Sequence, residues 1–404
     1  MARIGFAAFA LAAAVPAYAQ VPLPEGPGKA IVATACVKCH DLARVQHAGF
    51  SEAGWRNHVA MMINVGAAIP AEQVDTVVAY LAKNFPEKAK PRAAVISGDT
   101  KVEIREWDVP HAGTRPHDPL LARDGSLWYT GQANNTLGRL DRTSGRIREY
   151  PLRTPRSGPH GLVEDSRGHI WFTANSAAYI GELDPATGDV KEYPMPDREA
   201  RDPHTPVFDQ GGRLWFSVQG GNRIGRLDPK TGEVRLVTPP TRNAAPYGAK
   251  VDSRGVPWVV LFNTNRIARV DPQTMAVREY ELPNRDSRPR RMAITADDAI
   301  WYTDYARGYI GRLDPATGQV REWPSPGGTG AEPYGMATDG EIVWYSESGV
   351  SPNTLVRFDP RTEKFQSWAI PSGGGVVRHM DMHSPGEIGI ACSGVNKVGI
   401  VAIR

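Results

Sequence analysis

Two thiols and an imidazole stand together near the start of the chain, in Cys36-Val37-Lys38-Cys39-His40. Cysteines two residues apart can reach both vinyl groups of one porphyrin, and the adjoining histidine is held where it can bind iron, so C-x-x-C-H reads as an attachment site for haem c. A second set of candidate groups recurs far downstream, at the start of seven similar segments: His117, His160, His204, Tyr247, Arg290, Tyr334 and Arg378. Three histidines from consecutive segments could hold a metal with an open position, and Asp304 with Glu347 could offer oxygen ligands to magnesium or calcium. The same histidines and tyrosines could instead be repeat residues that hydrogen-bond neighbouring loops. Arg290, Asp304, Glu347 and Arg378 point to a charged pocket, because burying such groups is costly unless they meet partners or a ligand.

The elements that must position these groups begin with an export signal. Residues 1–20 carry a basic Arg3, an apolar run from Ile4 to Val15 and the small-x-small site Ala17-Tyr18-Ala19, the layout of a cleaved secretory peptide. That run is shorter than the roughly 20 residues a membrane span needs, and no later segment qualifies. The expectation is a periplasmic protein without a membrane span. Beyond the haem pair only Cys392 remains, so no internal disulfide framework is available. The net charge of +3 is spread over mixed basic and acidic residues, which gives no sign of nucleic-acid binding.

Residues 21–87 show helical periodicity. Ser51 stands as an N-cap before Trp55, Val59, Met62 and Gly66 on one face, and Pro70-Ala71-Glu72-Gln73 opens a second helix with Val74, Val77, Val78 and Leu81 aligned. The segment resembles a small class I cytochrome c domain. That resemblance makes Met62 the sixth ligand of an iron already held by His40, with Met61, His47 and His58 as alternatives.

A Pro-, Lys- and Ala-rich linker over residues 88–100 marks a boundary, and residues 101–404 repeat in steps of 43 or 44 from Arg115, Gly158, Asp202, Ala245, Arg288, Glu332 and Val376. Each unit has a turn such as Asp165-Ser166-Arg167-Gly168, an aromatic strand such as Ile170-Trp171-Phe172-Thr173, the strand Ile180-Gly181-Glu182-Leu183, the turn Asp184-Pro185-Ala186-Thr187-Gly188 and a closing Val190-Lys191-Glu192-Tyr193. Four short strands repeated seven times predict a seven-bladed β-propeller, so the chain reads as multidomain: a small all-α domain followed by an all-β propeller. The last unit is one strand short, and Val102–Trp107 has the pattern to complete it. Met275 and Glu363 replace the glycine of the second turn and should adopt its left-handed conformation. Strand alternation gathers the irregular residues on the face opposite the regular turns, which is where a binding site belongs. Asp304, Arg378 and Tyr247 are placed at the channel mouth on that face.

The repeats Gly158-Pro159-His160-Gly161-Leu162, Ile170-Trp171-Phe172-Thr173 and Ile224-Gly225-Arg226-Leu227 resemble the streptogramin B lyase (virginiamycin B lyase) group of propellers. In that family a divalent metal, usually magnesium, assists the elimination that opens a cyclic depsipeptide ester. The resemblance assigns the catalytic positions to Glu332, Tyr334, Glu347 and Arg290, with tyrosine and arginine where the family has histidines. A rotated match uses His160 and His204 and puts Val218 at the second glutamate. With a haem in the same chain, the expected function is a periplasmic electron-transfer protein whose propeller binds a small substrate or a redox partner. The alternatives are a metal-dependent lyase or lactonase with an accessory haem, its divalent ion on Glu332 and Glu347 or on His117, His160 and His204, and a non-catalytic propeller scaffold for a dehydrogenase.

Overall fold

The structure is a computed structural model and describes residues 22–38, 42, 45, 46, 48–64 and 67–404. The export segment, Cys39, His40 and His47 lie outside the described residues. The chain divides into two compact units, one running to Val59 and including Ala68–Glu87, the other comprising Ala60–Ala67 and Lys88–Arg404. Cys36 falls in the first and Met62 in the second.

Three α-helices occur among the described residues: α1 (Lys29–Ala35), α2 (Glu52–Asn64) and α3 (Val74–Asn84). Ser51 caps α2 as its sequence position implies, its Oγ accepting from the Gly54 N–H at 3.2 Å. Val32, Trp55, Val59, Val77, Val78 and Leu81 are buried. The two polar tips in this apolar set are satisfied: Trp55 Nε1 donates to the Phe85 carbonyl at 2.8 Å and Tyr80 Oη to the Pro24 carbonyl at 2.7 Å. Among the described residues no helix is long and apolar enough to cross a membrane.

From residue 102 onward the described residues form seven four-stranded antiparallel sheets, the all-β seven-bladed propeller that the repeats predict. In six of the seven blades a tryptophan of the second strand is the packing centre; Trp128, Trp171, Trp215, Trp258, Trp301 and Trp344 are all 1% exposed or less, whereas Glu387–Cys392 of the last blade has none. The preceding turn anchors it. Asp165 accepts from its own turn at Arg167 N and His169 N and from Trp171 Nε1 at 3.0 Å, and Asp209 and Asp252 hold Trp215 and Trp258 in the same way. The third-strand glycine is required by a close approach: a Cβ on Gly181 would stand 2.1 Å from the Phe172 ring. Met275 (φ 64°) and Glu363 (φ 56°) do occupy the left-handed turn position.

The circle is closed by Val102–Asp108, which pairs along its whole length with Lys397–Ile403, from Val102 opposite Ile403 to Asp108 opposite Lys397. The preceding stretch is not a free tether within its unit. Arg92 bridges to Ser351, Ile96 to Ser367, and Lys90 Nζ donates to the Ser348 carbonyl at 2.8 Å, so residues 90–96 lie along the sixth blade.

Candidate active site at the channel mouth

Five of the seven inner strands start in an uncommon conformation. Arg115, Gly158, Asp202, Ala245 and Glu332, each directly before a proline, have φ between 46° and 64°, which costs a non-glycine residue about 1–2 kcal/mol. The register then shifts just beyond, as between Pro159 and Leu162, leaving a bulge whose unpaired backbone groups are taken up by a hydroxyl. Thr173 Oγ1 accepts from Gly161 N at 2.9 Å and donates to the His204 carbonyl of the next blade at 2.7 Å. Thr130, Thr303 and Ser346 make the same double link. Ser217 does so between Thr205 N and the Tyr247 carbonyl. The fourth and seventh blades have Val260 and Ala391 there.

These links hold the carbonyls of His160, His204, Tyr247, Tyr334 and Val377, at or beside the ring of residues that follows the bend. His117, His160, His204 and Tyr247 stack in sequence around the axis, with ring centroids 3.9, 3.7 and 3.9 Å apart. Tyr247 Oη meets Tyr334 Oη at 2.6 Å. The Arg290 guanidinium lies 3.6 Å from the Tyr334 ring centroid, 4.2 Å from Tyr305, 4.8 Å from Phe262 and 5.4 Å from Tyr247, a cage of four aromatic faces. Arg378 flanks Tyr334 from the other side at 5.9 Å. One step deeper, Arg291 crosses the channel, donating to Asp118 Oδ1 at 3.0 Å and to Thr205 Oγ1 at 3.1 Å, and His117 Nδ1 is 2.8 Å from the same Asp118 oxygen.

This constellation sets the charge states. Burial, reinforced by neighbouring cations, lowers His117, His160 and His204 well below the usual histidine range, so they stand neutral. Asp118 is pushed up by burial to about 6 although Arg291 opposes that. For Tyr334 burial acts upward, yet Arg290, Arg378 and Arg291 together outweigh it and leave the phenol at about 8. Tyr247 moves the other way, raised by burial and by Tyr334.

The carboxylates expected at the mouth are engaged elsewhere. Asp304 accepts from Arg288 N at 2.9 Å and Arg307 Nη1 at 3.1 Å. Glu347 is fully buried, its Oε1 accepting from Ser325 Oγ and Gly327 N and its Oε2 from Thr354 Oγ1, all within 2.7 Å. Glu332 accepts from Tyr305 Oη at 2.8 Å. With both Glu347 oxygens committed, and a caged guanidinium where the resemblance expects a histidine, these residues do not fit magnesium or calcium. His117, Asp118 and His160 bring ligand atoms within 4.8 Å of one another, whereas His204 is not part of that cluster. Asp118 is already held by Arg291, and the positive field that depresses the histidines opposes a metal cation as well. Asp165, His169 and Glu182 also cluster, on the opposite face, where Arg167 donates to both carboxylates.

The structure thus joins Tyr247, Arg290, Tyr334 and Arg378 to the three histidines as expected, and separates Asp304 and Glu347 from them. It adds Asp118, Arg291 and Tyr305. Reading one position per repeat passes over the neighbour behind it, although the Arg290-Arg291 pair was a visible signal.

The sequence profile of the virginiamycin B lyase family matches residues 85–235 and again 229–403. Among solved structures, a streptogramin B lyase is 26% identical with a TM-score of 0.69, covering 75% of this chain and 98% of its own. The virginiamycin B lyase of Staphylococcus aureus is 25% identical with a TM-score of 0.68, covering 75% and 99%. A catalytically inactive variant of that enzyme with quinupristin matches at 24% identity, a TM-score of 0.68 and the same coverage. No curated protein matches. These matches overturn the electron-carrier function expected from the C-x-x-C-H motif. They support the all-β propeller and the lyase-type alternative, and nothing in them corresponds to a fused cytochrome c domain. With its two matched stretches spanning most of the sequence, the chain belongs to the virginiamycin B lyase family.

Proposed function

We propose that the channel mouth catalyses a lyase-type elimination that opens the C–O bond of an ester, with Tyr334 as general base. The observation that supports this reading most directly is the placement of the Tyr334 phenol, whose oxygen lies 2.6 Å from Tyr247 Oη and whose ring is flanked by Arg290 and Arg378. A tyrosine ordinarily ionises near pH 10 and is a poor base at neutrality; cations at this distance bring its pKa close to working pH, where general bases are most effective.

The Tyr334 oxygen takes an acidic C–H proton from the substrate. The C–H electrons form a carbon–carbon double bond, the adjacent C–O bond breaks, and the ester leaves as a carboxylate. Arg378 faces the negative charge that develops on the substrate, in the low-dielectric setting where such stabilisation is strongest. Arg290, enclosed by aromatic rings, serves as counter-ion to the ionised Tyr334, and Tyr247 holds the phenolate oxygen in place.

The test is to incubate the protein with quinupristin, the ligand of the inactive relative, and with simple esters bearing an acidic C–H. Elimination opens a cyclic ester to a product of unchanged mass and splits an acyclic one into an alkene and a carboxylate, whereas hydrolysis adds one water in either case. Loss of the isomeric product in Tyr334→Phe supports the assignment, and full activity in that variant overturns it.

A haem c on Cys36 and Cys39, with His40 as an iron ligand, remains part of this reading as an accessory group in a periplasmic enzyme. Cys36 is a half-buried thiol directly after α1. Haem supplies one-electron chemistry, and an elimination draws no electron from it. Cys36→Ala with Cys39→Ala should therefore abolish any covalent haem band while leaving turnover intact.

A further inference from the structure

Two of the positive charges at the channel mouth, Arg290 and Arg378, lack the negative partners that burial demands. Among the described residues no carboxylate lies within ion-pair distance of Arg290 or Arg378, and the buried Nε atoms of both have no hydrogen-bond partner. A charged group held this way is costly unless a ligand completes it. The carboxylates of the same face do not serve, because Asp304, Glu332 and Glu347 are bound to Arg307, Tyr305 and the Ser325–Thr354 loops. Arg290 is enclosed by four aromatic rings, which leaves Arg378 as the guanidinium open to a ligand. Arg115, at the strained start of the adjoining blade, is crowded by it: burial and the Arg378 charge bring Arg115 down to about 9.

We propose that the channel mouth is a binding site for an organic carboxylate, anchored by the Arg378 guanidinium with Arg115 beside it. Two donors of a guanidinium match the two oxygens of a carboxylate, and this geometry favours arginine over lysine. The anion neutralises the mutual repulsion of Arg115 and Arg378 and sits beside Tyr334. This rests on the lyase reading and gives it a substrate class: an ester that itself carries a free carboxylate. It also makes the carboxylate released by the elimination a competing ligand of the same site.

The experiment measures binding without turnover, so that its failure and the failure of the lyase reading stay distinct. The full chain is titrated calorimetrically with succinate, with neutral succinamide and with sulfate, while tyrosinate difference absorption is followed at pH 8. Succinate should bind, succinamide should not, and sulfate should bind at least tenfold more weakly than succinate. Succinate should also reprotonate Tyr334, lowering the tyrosinate signal. Arg378→Gln should weaken succinate at least tenfold, and Arg378→Lys, which keeps the charge and most of the packing, should fall between that variant and the parent. Absence of succinate binding in the parent, undiminished binding in a folded Arg378→Gln, or equal affinity for sulfate each overturns the proposal.

Discussion

At the scale of single residues the site is governed by which charges a neighbour sees. Tyr334 is the most consequential case, because three arginines face it and no carboxylate does. Activity should therefore rise with pH with an apparent pKa of about 8, since the base must lose its proton, and a pH–rate profile checks this. Replacing Arg290 with Gln should move that limb upward and lower the rate at pH 7 about tenfold or more, one pKa unit corresponding to about 1.4 kcal/mol. His160 provides a second test. Its buried Nδ1 has no partner and its pKa is far below that of a free histidine, so the unfolded chain binds a proton below about pH 6.5 that the folded chain refuses. Stability contributed by the neutral ring is present above that pH and lost on acidification. His160→Phe keeps the stacked ring and removes the proton, so its unfolding free energy relative to the parent should improve by up to about 1.4 kcal/mol per pH unit between pH 6.5 and 5, as urea denaturation across that range would show. Tyr247, Arg290, Tyr334 and Arg378 were legible as a ring from their place in the repeat. Their charge states were not, because these depend on Arg291 and Arg115 reaching the same space from other positions.

At the scale of the element, the hydroxyl that bridges blades decides where a ring residue stands. Thr173→Val leaves both Gly161 N–H and the His204 carbonyl without their partner, and buried groups left this way cost about 1–3 kcal/mol each. A drop of roughly 2–4 kcal/mol in unfolding free energy is expected from denaturant titration, accompanied by a loosened histidine stack. The fourth position of the aromatic strand was visible in sequence as Thr or Ser in five repeats, but its role was not. An alternating strand puts that side chain on a known face without revealing that a bulge in the neighbouring strand needs a donor and an acceptor there. Asp304 and Glu347 misled for a related reason: they are paired with the prolines that precede the ring, not with the ring itself. The turns, by contrast, were legible down to Met275 and Glu363, since a left-handed position is set by local geometry alone.

For the whole molecule, closure was readable because the repeat counted one strand too few at its end and one too many at its start. Deleting Val102–Asp108 uncovers Lys397–Ile403 as a free edge, and exposed edges pair with other chains. The truncated protein should melt less cooperatively and form dimers or larger species, seen by calorimetry and size-exclusion chromatography. The hydroxyl bridges also have a global reading. They run unbroken from Thr130 through Ser217 and again from Thr303 to Ser346, and lapse at Val260 and Ala391. The circle is therefore two arcs, and chemistry follows the same division: the histidines and Tyr247 belong to the longer arc, and Arg290, Tyr334 and Arg378 to the shorter. A break in the backbone near Asn284, between the arcs, would leave each half its own internal bridges. The strand Val102–Asp108, carried by one half and completing a blade of the other, would then act as the clasp by which two separately made pieces find each other, so that a cationic half could be exchanged against a fixed aromatic one.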